Sequence, residues 1–200
     1  PLGTYHMMRR NVYYAKMMFP DLRITLNGND LAPIVPEILM APLLMDSTTV
    51  NYSKPQLNLL IGRLKEGSKV RQSFMNGAYT HDGGKHVSDV EYRIVQLVKK
   101  SHKLDHTYKQ NDFRSFLNRL FLYVCVYGGE KITWGGYLKR NVSNFECEGF
   151  HDALDALGKN KSFAAFVKSE FVTDSVKQIV AKKKKNANKR VNRDNRTYST

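Results

Sequence analysis

Two hundred residues, 42% hydrophobic and 25% charged, suffice for one packed domain and exclude a wholly disordered chain. No run approaches the eighteen or so apolar residues of a membrane span, and Cys125 and Cys147 are too few for a disulfide scaffold. The net charge of +14, from 32 Lys and Arg against 18 Asp and Glu, points to a polyanionic partner rather than to a particular fold.

In chain order, Pro1 to His6 resembles the remnant of a protease site and cloning junction. Residues 1–7 are therefore set aside, and no signal peptide is expected. All six prolines fall within residues 1–55, which divides the chain into an irregular front and a helix-permissive remainder. In the front, Leu22 to Leu26 alternates apolar and polar before Asn27-Gly28, a short strand running into a tight turn. Asn11 to Phe19 fits either a pairing strand or a first helix. Ala32 to Leu44, broken by three prolines, predicts a buried irregular segment with one or two helical turns at most.

Helical spacing dominates the chain beyond Ser53. Pro55 stands at a first helical position behind Ser53, with Leu57, Leu60, Ile61 and Leu64 on one face. Ser88 to Glu91 reads as a capping box ahead of Val90, Ile94, Leu97 and Val98. Asp112 to Tyr127 carries the most regular stripe, Phe113, Phe116, Leu117, Leu120, Phe121 and Val124, closed by Gly128. It is expected to be the central helix. Gly128 to Tyr137 suggests a loop or small hairpin. Two shorter helices come next, around Phe150–Leu157 and Phe163–Phe171, and then a last one capped by Thr173. The fold expected is mainly α: one helical domain over residues 8–181, with five to six helices and a short β element near its start. Residues 182–200, with eight basic side chains and one acidic, are expected to be a disordered basic tail.

The positive charge is concentrated in that tail and in residues 56–110, which hold ten basic against five acidic side chains. Candidate phosphate contacts in the second region are Arg63, Lys65, Lys69, Arg71, Lys85, Arg93, Lys99, Lys100, Lys103 and Lys109. On a helix beginning near Ser88, Lys99 and Lys103 lie four apart with Lys100 beside them, a basic face able to follow a phosphate backbone. The tail adds Lys182, Lys183, Lys184, Lys185, Lys189 and Arg190, a pattern that also suits nuclear import. Trp134, with Lys139 and Arg140 close behind, offers a stacking platform beside two cations. Gly83-Gly84-Lys85-His86 lacks the remaining glycine and the Ser or Thr of a phosphate-binding loop, which leaves a flexible basic loop. His102 and His106 are spaced to share a metal on a helix but have no further ligands at a useful spacing, so neither metal nor cofactor is expected.

The function expected from these features is sequence-tolerant DNA or RNA binding of a structural, nucleocapsid-like viral kind, without enzymatic activity. Possible self-association and an intracellular location, nucleus or virion, go with it. The alternative is a regulatory protein-interaction module whose tail serves only nuclear import. A metal-dependent nuclease is the remaining enzymatic option.

Overall fold

Unbroken apolar runs, rather than helically spaced ones, decide the architecture. The computed structural model describes residues 11–37, 41–45, 49–65 and 69–197, apart from the side chains of 187 and 189–197. A first helix, α1, spans residues 11–18. A two-stranded ribbon comes next, β1 (Thr25–Leu26) and β2 (Asn29–Asp30), turning at Asn27 and Gly28, whose φ angles are 52° and 81°. The main sheet contains β3 (Val50–Lys54), β4 (Leu57–Arg63), β5 (Val70–Met75) and β6 (Ala78–Tyr79). After these come α2 (Lys85–Ser101), α3 (Arg114–Asn118) and the sheet's fifth strand, β7 (Leu120–Val126). A hairpin of β8 (Glu130–Trp134) and β9 (Val142–Glu146) precedes α4 (Phe150–Ala156), α5 (Lys161–Lys168) and α6 (Glu170–Thr197).

The sheet order is β3-β4-β7-β5-β6. β7 pairs antiparallel with β4, setting Arg63 opposite Leu120, and parallel with β5, setting Val70 opposite Phe121. Every residue of β7 is buried. Its even-numbered residues, from Leu120 to Val126, face a core built with α2, α4, α5 and α6. Phe121, Tyr123 and Cys125 face a second core, formed with Tyr14, Met17 and Met18 of α1 and with Leu44. A strand covered on both faces needs no polar alternation. Burying each of its larger side chains contributes roughly 1.5–3 kcal/mol.

The expected mainly α fold is therefore overturned: the protein is mixed α/β. The proposed central helix breaks into a 3-10 turn (Gln110–Phe113), α3 and β7. A continuous apolar run satisfies helical spacing and strand spacing alike, and here the β-branched and aromatic side chains took the strand. Pro55 does not begin a helix either; with Gln56 it makes the turn of the β3–β4 hairpin. α2 starts at Lys85, behind Gly84 rather than Ser88, and α6 starts after Ser169 rather than at Thr173. The expected disordered tail is instead the distal part of α6, whose backbone is helical to Thr197. The expectations for residues 1–7 and 38–40 fall outside the described residues. The strand and turn after Leu22, the hairpin after Gly128 and the helix near Phe150 are present as expected.

Candidate phosphate-binding interface

α2 buries Val87, Val90, Ile94, Val95 and Val98, a stripe that fixes which of its cations reach solvent. On its open flank, Arg93 and Lys100 face the connection from α4 to α5. Gly158 sits at that crossing, and a Cβ there would come within 2.8 Å of Leu97 Cδ2, so a larger residue would have to displace the Leu97 side chain. The result is an open groove of about 530 Å³, floored by Leu97, Phe163 and Val167 and edged by Arg93, Lys100, Lys159 and Lys168. Asp155 is the one acid along it and is bound to Arg93 at 3.0 Å. Arg93 also donates to the carbonyls of Leu154 (3.3 Å) and Asp155 (3.4 Å), which holds it against α4.

Several other expected contacts are occupied within the protein. Arg71 is nearly buried: its Nε donates to Glu91 Oε1 at 2.8 Å, and its remaining donors reach the carbonyls of Val70, Leu117 and Leu120. Burial pulls its pKa down, and the Glu91 carboxylate opposes that shift. Lys69 lies 3.8 Å from the same Glu91, Lys85 is paired with Asp89 at 3.1 Å, and Lys99 donates to Tyr108 O at 2.8 Å. Arg63 stacks 5.0 Å from the centre of the Phe171 ring. Lys65, Lys103 and Lys109 are exposed.

On α6, Lys182, Lys184 and Lys185 are exposed, whereas Lys183 docks the helix. Its ammonium sits 4.0 Å from the centre of the Tyr108 ring, donates to Thr107 and lies 3.7 Å from Asp112. The side chains of Lys189 and Arg190 lie outside the described residues. Trp134 is half-buried against the helix-side core, so its ring is a packing group more than an open platform. His102 Nε2 lies 3.1 Å from Val167 O, and His106 is exposed. Among the described residues no three His, Cys, Asp or Glu side chains converge as a metal site would require.

A second exposed surface lies where residues 81–84 meet residues 135–141. Gly84 forms a parallel bridge to Val142, so close that a Cβ would stand 2.3 Å from Val142 O. Arg140 Nε pairs with Asp82 at 3.2 Å, and Arg140 Nη2 lies 2.8 Å from His81 Nδ1. The His81 hydrogen bond, assisted by the Arg140 charge, lowers the Asp82 pKa. Beyond this clasp the loop projects: Tyr137 is 93% exposed and Leu138 62%. Lys139, at φ 52°, is exposed and has no acidic partner among the described residues.

The structure thus joins Arg93 and Lys100 in one groove and Lys139 and Arg140 in one loop, and disperses the other candidates. Sequence reasoning missed Lys159 and Lys168, which lie outside the region of excess charge. The Gly158-Lys159-Asn160-Lys161 run was the available signal, since it marks a basic connection between helices.

No family model and no curated protein matches the chain. Solved structures do. The ATPase region of Saccharomyces cerevisiae topoisomerase II bound to ICRF-187 superposes at TM-score 0.57 with 20% identity, over 80% of this chain and 43% of that one. The B-subunit of DNA gyrase from Myxococcus xanthus gives 0.62 and 16%, over 87% and 60%. The ATPase and transducer domains of DNA topoisomerase II from Balamuthia mandrillaris give 0.61 and 18%, over 88% and 44%. The chain therefore shares the fold of part of these proteins and spans about 43–60% of their lengths. This likeness overturns the nucleocapsid-like viral packaging reading and gives its regulatory-module alternative no better support. The expectation of no enzymatic activity is corrected on the same ground, since solved structures that share the fold are ATPase regions of topoisomerase II.

Proposed function

We propose that the chain is the DNA-facing part of the ATPase region of a type II DNA topoisomerase, with ATP and duplex DNA as the enzyme's ligands. The observation that carries the reading is the groove edged by Arg93, Lys100, Lys159 and Lys168, on a fold that recurs in topoisomerase II ATPase regions and in a gyrase B-subunit. Point charges around an apolar floor suit backbone contact without base reading, and each phosphate neutralised releases counterions. The exposed Lys103, Lys182, Lys184 and Lys185 add long-range attraction.

The projecting loop has a different part in this reading. Lys139, with no acidic partner among the described residues, stands at the end of a loop clasped by Arg140 and Asp82, suited to meeting a phosphate presented from outside the chain. In an ATPase region the natural source is the nucleotide held by the rest of the enzyme. Self-association of the assembled enzyme belongs to the same proposal, as does a location in a compartment that holds DNA.

The test is a salt titration of duplex binding by the wild type and by the K100Q/K159Q/K168Q variant. The variant is expected to reduce the slope of log affinity against log salt by about 2 to 3. An unchanged slope would remove the groove from the reading. For the loop, Lys139→Ala in the enzyme carrying its complete ATPase region is expected to slow ATP turnover while leaving duplex binding unchanged.

A further inference from the structure

Two arginines from different elements meet over one phenylalanine at the end of the central sheet. Arg63 ends β4, and Arg119 stands between α3 and β7, where its carbonyl accepts the Leu64 N–H at 3.0 Å. The two guanidinium carbons lie 5.0 and 5.1 Å from the centre of the Phe171 ring, at the start of α6. Arg119 Nη2 donates to Ser175 Oγ at 2.7 Å, while its buried Nε has no acceptor. Among the described residues, Arg63 donates to no side chain or carbonyl and no carboxylate pairs with either arginine, the neighbouring exposed Glu170 included. Burial and the Arg63 charge both lower the Arg119 pKa.

Two like charges gathered on one ring repel, and the ring's π face offsets only part of that cost. We infer that Arg63 and Arg119 form an oxyanion site for a phosphate group, clamped on Phe171 and oriented through Ser175. Two guanidinium forks offer more donors than the two oxygens of a carboxylate can use, whereas a phosphate has oxygens for both. None of these residues lines the groove, so the site rests on its own geometry. It extends the proposed reading by giving the sheet end a phosphate contact of its own.

The test is the melting temperature of the 200-residue chain against added pyrophosphate at constant ionic strength, because a ligand that binds only the folded state raises it. Wild type and Lys54→Gln, which removes an equal charge elsewhere, are expected to respond alike. Arg63→Gln is expected to weaken apparent affinity about tenfold or more, as loss of a charge-assisted contact does. Arg63→Lys, which keeps the charge but loses the fork, is expected to fall between them. Binding of a duplex oligonucleotide distinguishes the sources: a salt slope reduced by about 1 in Arg63→Gln identifies a backbone phosphate. An effect on pyrophosphate alone identifies a nucleotide-type phosphate, and either result supports the site. The inference is overturned if wild type responds to neither probe or if Arg63→Gln responds as Lys54→Gln does. It is also overturned if only an acidic peptide gives an Arg63-dependent response. Because the groove lysines are intact in every variant, failure here leaves the groove titration unaffected.

Discussion

Arg71 Nε stands 2.8 Å from Glu91 Oε1, joining the second residue of β5 to α2 through one nearly buried ion pair. The same guanidinium caps the carbonyls of Leu117 and Leu120, on either side of the α3–β7 junction. Removing its counter-ion would strand a charge whose other contacts are all neutral. Glu91→Ala is therefore expected to destabilise the protein by about 3–5 kcal/mol, as measured by urea unfolding. A loss below about 1 kcal/mol would mean that water solvates the guanidinium in place of the carboxylate.

His86 is buried at the start of α2, with Nε2 3.2 Å from Thr80 Oγ1, and Phe145 edge-on to its ring. Thr80 Oγ1 in turn lies 2.6 Å from Ser73 Oγ. Burial lowers the His86 pKa from 6.5 to about 4. The unfolded chain therefore binds this proton more readily than the folded one. The resulting stability is complete above pH 6.5, declines as pH falls, and is lost by about pH 4, a change of roughly 3 kcal/mol. His86→Leu is expected to flatten unfolding free energy across that window. A slope equal to that of the wild type would assign the dependence to other groups.

Gly84 has φ 134° and ψ −163°, a conformation essentially reserved for glycine, with Val142 backbone where a Cβ would stand. Gly84→Ala combines backbone strain of about 1–3 kcal/mol with that clash. The bridge to β9 is expected to open, with faster amide exchange at Val142, whose N–H donates to Gly83 O at 3.1 Å. Undisturbed exchange there would show that the bridge does not depend on the glycine.

Asp155 offsets part of the groove's positive charge. Asp155→Asn is expected to tighten duplex binding severalfold at low salt and to have a diminishing effect as salt screens the groove. Unchanged binding at low salt would show that Arg93 stays held by the carbonyls of Leu154 and Asp155.

What the sequence disclosed depended on how local the signal was. Asn27-Gly28 specified its turn, and the spacing of Val90, Ile94 and Val98 specified the inner face of α2, because both are decided within a few residues. Leu120 to Val126 was misread because an all-apolar run carries no phase, and only pairing with β4 and β5 makes it a strand. Pro55 satisfies a tight turn as readily as a helix start. The groove was half legible: Arg93 and Lys100 lie on one helix, but Lys159 and Lys168 reach it only through the packing of α5 on α2. Arg119 carried no signal at all, since its partner ring lies 52 positions away along the chain.

A 28-residue α-helix is about 42 Å long, and the anchoring contacts described for α6 lie in its first half. Phe171 is clasped by two arginines, Val172, Val176 and Ile179 are buried, and Lys183 is the last anchoring contact described. Over that length even a small tilt at Phe171 is magnified, so an oxyanion held by Arg63 and Arg119 would sit at the root of a rod of positive charge.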